Sequence, residues 1–260
     1  MLKGICVNSG NIEKAAQAGF DYIILPGFEI AAMDESEFDS VCRRVWQTDI
    51  PVAGYNAYCK DSLPIVGDDF DPEKTTRYAH LLCERGHRLG IKNIGIGAPL
   101  ARRLPDGYDI KKAYAQGKKF IELTASEAEK YNFNVLVEGL HKNCCNFINY
   151  LPEAYQLMQD INRHNVKMVV DFYHMQVNGE DFESALGFLD YCGDIHISGC
   201  DENLARPFVS EMDSEMLKKI ASVLKKGGYS TSVSLESDMP KDGFDDKAKK
   251  AYKAINRYFV

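Results

Sequence analysis

The 260-residue sequence has one tryptophan, six histidines and no uninterrupted run of 18 apolar residues. The last absence argues against a membrane-spanning helix, which needs about 20 such residues. Eight cysteines, at positions 6, 42, 59, 83, 144, 145, 192 and 200, form no Cys-x-x-Cys pair and no His/Cys cluster at zinc-finger spacing. That spacing counts against a structural zinc module. Basic residues are in deficit, with 31 Lys+Arg against 38 Asp+Glu and a net charge of −7. This argues against non-specific binding to nucleic acid or an anionic membrane. No G-x-G-x-x-G follows the first β-rich run, which weakens a dinucleotide-binding reading. The opening MLKGICVNSG lacks the apolar core of a secretion signal. The expectation is therefore a cytoplasmic protein whose thiols stay reduced and mostly fill the core, Cys144 and Cys145 being incidental neighbours.

The sequence is 45% hydrophobic and 27% charged, enough for a sizeable core and a solvated surface. Short β-rich runs at 5–7, 21–25, 51–55, 92–97, 134–138, 167–171, 194–198 and 231–236 alternate with helical stretches. These predict helices over 11–19, 34–46, 71–89, 108–132, 152–164, 182–191, 213–226 and 243–259. Asp71-Pro72 is a cap followed by a first-turn proline, and Gly90 is the matching stop. Continuous apolar strands suit a parallel sheet covered on both faces. A closed barrel and an open doubly wound sheet both satisfy this pattern. Eight βα units in this length favour one α/β domain over residues 1–260, a single (β/α)8 TIM barrel. Trp46, on a predicted helix, is expected to pack.

In such a barrel, chemistry sits at the C-terminal ends of the strands. Glu138, Asp171 and Glu236 close three apolar runs there, and His196 lies in a fourth. Any one of them alone is more often a solvated, ion-paired or core residue. Four on successive strands are not, because converging carboxylates repel and are costly to bury. A divalent cation would remove that repulsion. Three carboxylates and an imidazole make a hard donor set, suiting one Mn²⁺ or Mg²⁺ per chain and admitting Co²⁺ or Zn²⁺. Glu29, just after the second strand, faces either substrate or solvent. Arg102 and Arg103 have the fork geometry for a phosphate, or for an ion pair within their own loop.

Several segments carry a family resemblance, densest from about Gly95 to Glu236. Ala101-Arg102-Arg103-Leu104-Pro105-Asp106-Gly107-Tyr108-Asp109 is similar to the Ala-Arg-x-x-Pro-x-Gly-Phe-Asp loop of xylose isomerase-like TIM barrels. Val137-Glu138 with Asn146-Phe147-Ile148-Asn149, Asp171-Phe172-Tyr173-His174-Met175, Asp194-Ile195-His196 and Ser234-Leu235-Glu236 resemble further motifs of that family. The nearest pattern is the branch of ketose 3-epimerases and hydroxypyruvate isomerase-like enzymes. The resemblance implies a sugar or sugar phosphate isomerase or epimerase. It implies Glu138, Asp171, His196 and Glu236 as metal ligands. Glu138 and Glu236 would also be the acid and base, with His174 and Arg206 binding substrate hydroxyls. A metal bridging two sugar oxygens would polarise the carbonyl and stabilise an enediolate while the two carboxylates move the proton.

The sequence departs from the pattern in places. Cys144 stands six residues past Glu138, where ketose epimerases commonly place a substrate-binding Glu. Gly139 follows Glu138 where many members have Pro or Val. Arg206 lies ten residues past His196, and Asp201 is a shifted substitute for an acidic residue after strand seven. Asp171 and His174 are three apart, so a loop is expected to aim the imidazole inward. A lyase or dehydratase could use the same centre on a keto-sugar, inosose or C-glycoside. Less favoured are a non-catalytic sugar-binding barrel and an apurinic endonuclease-like protein, which needs more His ligands than His80, His87, His141 and His164 offer. A homodimer or homotetramer is the expectation by analogy.

Overall fold

The computed structural model describes residues 1–260. Eight parallel strands close into a barrel in chain order: β1 (Leu2–Cys6), β2 (Tyr22–Pro26), β3 (Val52–Asn56), β4 (Asn93–Ile96), β5 (Asn134–Glu138), β6 (Val166–Asp171), β7 (Cys192–Ile197) and β8 (Ser232–Leu235). The ring closes where β1 pairs with β8. Nine helices run between and after the strands: α1 (Ile12–Ala18), α2 (Gly27–Ala32), α3 (Glu35–Thr48), α4 (Pro72–Leu89), α5 (Ile110–Glu129), α6 (Leu151–Ile161), α7 (Phe172–Asn178), α8 (Ser214–Lys226) and α9 (Phe244–Tyr258). The main core lies between strands and helices and includes Ile23, Leu25, Phe38, Leu82, Phe120 and Ile255. None of the helices is long and apolar enough to cross a membrane.

Local chemistry explains the boundaries. Asp34 caps α3 by accepting from Glu37 N, and Glu37 returns the favour to Asp34 N, a reciprocal capping box. Asp71 caps α4 ahead of Pro72, and Gly90 ends it at φ 76°, a left-handed turn that glycine adopts without a Cβ clash.

Three expectations need correction. The segment 172–178 forms a helix directly after β6, although Phe172-Tyr173 reads as strand-like. Asp171 makes this possible, since its Oδ1 accepts from Tyr173 N at 2.7 Å and His174 N at 3.2 Å. Helical geometry, not a loop, therefore aims His174. Segment 182–191 is two short 3₁₀ turns, Phe182–Gly187 and Leu189–Tyr191, instead of an α-helix. Gly187 interrupts it, and α7 already occupies part of this crossover. Trp46 does not pack, being 83% exposed on α3. A short helix over Gly27–Ala32, outside the predicted set, also forms after β2.

The strand register sets the site. Glu138 pairs with Val169, Asp171 with His196, and His196 with Ser234. Glu236 lies one residue past β8, and its N–H still donates to Ile197 O at 3.0 Å.

Candidate active site

Glu138, Asp171, His196 and Glu236 meet at the C-terminal mouth of the barrel. One donor atom from each lies within 4.8 Å of the others. His196 Nδ1 is 3.1 Å from Glu236 Oε2, 3.5 Å from Glu138 Oε1 and 3.9 Å from Asp171 Oδ2. Asp171 divides its carboxylate: Oδ1 caps α7, while Oδ2 faces the cluster. Glu138 has room because Gly97 lacks a side chain. A Cβ at that glycine would collide with Glu138 Oε2.

Arg206 enters the same cluster from the loop after β7. Its Nη2 donates to Asp171 Oδ2 at 2.7 Å, and its Nη1 lies 3.0 Å from Glu236 Oε2. The guanidinium carbon sits 4.3 Å from the centroid of the Tyr173 ring. Asp238 fixes the approach, because its carboxylate accepts from Arg206 N at 2.9 Å. The sequence argument balanced the carboxylates with a metal alone; the folded chain brings a guanidinium as well.

These neighbours separate the acids. Burial, then the nearby Glu236 charge, pushes the Glu138 carboxyl up to about 7. Burial acts on Glu236 too, but Arg206 and His196 outweigh it and hold that carboxyl well below the usual range. Burial acts on Asp171 as well, but the Arg206 guanidinium outweighs it and holds that carboxyl low. For His196, burial opposes protonation but the surrounding carboxylates, Glu236 first, raise it well above the usual imidazole value.

The donor set fits a hard divalent ion. The carboxylates supply oxygen, His196 Nδ1 faces them, and Glu138 Oε1 is buried with no hydrogen-bond partner. Two carboxyls whose surroundings push their titrations apart, Glu138 up and Glu236 down, have the chemistry an acid–base pair would need.

His174 is buried beside the cluster. Its Nδ1 accepts from His141 N at 3.1 Å, so the neutral ring carries its proton on Nε2. Burial lowers its titration to about 3, keeping it neutral. Nε2–H therefore offers a hydrogen bond towards the mouth. His141, Cys144 and His174 also come close enough to suggest a soft-metal cluster. The His174 tautomer argues against it, because that nitrogen presents a proton and not a lone pair. Burial also raises the Cys144 thiol to about 11, which disfavours the thiolate.

The remaining candidates are placed as follows. Glu29 lines a cavity of about 340 Å³ that also touches Asn56, Arg206 and Glu236, and it accepts from Ser9 N at 3.1 Å and from Ser9 Oγ. A second cavity, about 230 Å³, lies against Glu138, His141, Cys144, Tyr173, His174 and Arg206. Arg102 is not brought into the cluster. It is buried, and its Nη2 donates to the main-chain oxygens of Glu138 at 2.8 Å and Ile148 at 3.3 Å. Arg103 Nη2 likewise donates to Cys144 O at 2.9 Å. Both arginines brace the rim by holding main-chain carbonyls.

Sequence reasoning missed Asn56, whose Nδ2 donates to Glu236 Oε1 at 2.6 Å. Its place at the end of β3 was the available signal. Tyr173 and His141 were also missed. Both follow a predicted ligand by only two or three residues.

Residues 12–258 match the family of xylose isomerase-like TIM barrels. The chain belongs to that family. Among curated proteins, it is similar to a D-psicose 3-epimerase of Agrobacterium fabrum (strain C58 / ATCC 33970). The identity is 25% over 191 residues, covering 67% of this chain and 61% of that relative's length. This xylose isomerase-like barrel also superposes on a D-psicose 3-epimerase structure obtained in the presence of D-fructose. That match has a TM-score of 0.82 at 19% identity, covering 100% of this chain and 99% of the other. A second superposition, on the IOLI protein with a bound zinc atom, has a TM-score of 0.76 at 20% identity and covers 100% of both chains. At these identities the superpositions establish the fold.

Proposed function

We propose that this xylose isomerase-like barrel is a divalent-metal-dependent epimerase of unphosphorylated ketoses. The observation that carries the reading is the geometry of Glu138 and Glu236: two buried carboxyls in one four-residue cluster at the barrel mouth, a donor atom of each within 4.8 Å of the others, with Glu236 alone of the two paired to the Arg206 guanidinium. Glu138, Asp171, His196 and Glu236 would hold the ion, and their oxygen-rich chemistry favours Mn²⁺ or Mg²⁺. When bound, the ion supplies electrophilic polarisation of the substrate carbonyl.

The protein's own groups then move the proton. Ionised Glu236 removes the proton from the carbon next to the carbonyl. Glu138, as the carboxylic acid, delivers a proton to the opposite face of that carbon. Positioned groups of this kind contribute on the order of 10²–10⁴ each. One turnover leaves Glu236 protonated and Glu138 ionised, so exchange with solvent must reset the pair. His174 Nε2–H donates to a substrate oxygen, and Arg206 holds Asp171 and Glu236 in place.

The charge balance of the mouth supports an unphosphorylated substrate. Arg102 and Arg103 are engaged by main-chain oxygens, and Arg206 by two carboxylates. Glu29 and Asp238 add negative charge beside the larger cavity. The relatives described as D-psicose 3-epimerases point to the same substrate class.

The test is to strip the protein with chelator, reload it with Mn²⁺ and incubate it separately with D-fructose and D-psicose in D₂O. Interconversion with one solvent deuterium on the inverted carbon is the expected result. A product with a new ultraviolet-absorbing conjugated carbonyl would instead identify a lyase. No turnover and no exchange on either ketose would overturn the reading.

A further inference from the structure

Asp194 is a buried carboxylate in the middle of β7 that makes no contact with the mouth cavities described above. It lies two residues before His196, so both side chains leave the same face of the strand. An ionised group inside a barrel is costly unless hydrogen bonds satisfy it. Here four strands contribute to doing so. Ile195 N donates to Asp194 Oδ1 at 2.9 Å. Ser234 Oγ, from β8, lies 2.9 Å from Oδ2 and 3.0 Å from Oδ1. Tyr22 OH, from β2, is 2.8 Å from the same Ser234 hydroxyl and completes the chain. The Tyr22 ring fits because β1 has Gly4 opposite; a Cβ there would overlap the ring. At the other end, His196 Nε2 is 3.3 Å from Asp194 Oδ2.

We infer that Asp194 is a positioning residue that fixes His196 with Nε2–H turned into the barrel and Nδ1 turned to the three carboxylates. This rests on reading the four mouth residues as a metal centre. A carboxylate behind a ligating imidazole sets both its orientation and its donor strength. The chain Tyr22–Ser234–Asp194 is then the support that aims the one nitrogen donor among oxygen donors. Neither Asp194 nor Ser234 touches substrate.

Calorimetric titration of chelator-stripped protein with Mn²⁺ tests this, using wild type, Asp194→Ala, Asp194→Asn and Ser234→Ala. Asp194→Ala should weaken Mn²⁺ binding by about 10- to 100-fold, the range usual for such supporting groups. Asp194→Asn keeps an acceptor for Nε2–H and should lose less. Ser234→Ala should lose least. Two-bond ¹H–¹⁵N correlation on the Mg²⁺-loaded protein reads the Nε2–H bond directly: a downfield His196 Nε2 proton that exchanges slowly with solvent in wild type, and one shifted upfield and exchanging faster in Asp194→Ala. Should Asp194→Ala not fold, the Asp194→Asn and Ser234→Ala affinities carry the test. Wild-type affinity in both Asp194→Asn and Ser234→Ala, or an unshifted Nε2 proton in Asp194→Ala, would overturn the role. Failure of wild type itself to bind Mn²⁺ would remove the metal centre and the role together, and is distinguished by appearing before any substitution.

Discussion

Strands β5 to β8 bring Glu138, Asp171, His196 and Glu236 to the mouth, whereas β1 to β4 bring Cys6, Pro26, Asn56 and Ile96. The β5–β8 half gathers nearly all the charge and spends its loops on positioning it: α7 is capped by Asp171, and Arg206 is tethered by Asp238. The β1–β4 half supplies space, with Gly97 giving way to Glu138 and Asn56 reaching across to Glu236. The contrast teaches a division of labour. Converging acids need a shared set of partners, so they cluster on neighbouring strands. A substrate needs volume, and the larger mouth cavity opens where the β1–β4 half, with Asn8, Phe28, Glu29 and Asn56, meets Arg206 and Glu236.

Substitutions can break this asymmetry, starting with the charged half. Glu236→Gln and Glu138→Gln should each lower kcat by on the order of 10²–10⁴ on an active ketose, with the circular dichroism spectrum unchanged. Near-full activity in either would remove it from the acid–base pair. Arg206→Ala leaves Asp171 and Glu236 without their cation, and breaking such a buried pair costs about 3–5 kcal/mol. Denaturant melts of the metal-free protein would show the loss, and added Mn²⁺ should restore part of it. In the open half, Asn56→Ala removes a single donor from Glu236 and should cost about 1–3 kcal/mol. A loss as large as that of Arg206→Ala would contradict the division between the halves.

A pH series sharpens the comparison further. The folded state raises Glu138 to about 7 from its ordinary value of 4.5, so folding favours the protonated form. Its contribution is fully present below about pH 4.5 and is lost as pH rises towards 7. His174 and His141 shift in the opposite sense and blur the total curve. The difference between metal-free wild type and Glu138→Gln isolates the effect. Wild type should lose thermal stability relative to Glu138→Gln across that window. A flat difference would mean that Glu138 is ionised throughout.

Much of this was legible in the sequence for physical reasons. Strands buried on both faces leave continuous apolar runs, and a carboxylate closing such a run is conspicuous, so β5 to β8 and their four candidate ligands stood out. Caps such as Asp71-Pro72 and Gly90 marked α4 closely. What stayed hidden depended on contacts between distant segments. The approach of Arg206 is set by Asp238, 32 residues away. Arg102 looked available because nothing in its own loop reveals the main-chain oxygens of Glu138 and Ile148. Helix α7 escaped notice because its cap, Asp171, read first as a candidate ligand and its first residues are aromatic.

The most direct test of the central claim is calorimetric titration of the chelator-stripped protein with Mn²⁺, alongside Asp171→Asn. The account predicts one site per chain in wild type and binding at least about 10-fold weaker in Asp171→Asn, where Oδ2 loses its charge. Absence of binding by wild type, or equal affinity in the variant, would contradict the assignment of the four strand-end residues as a metal centre.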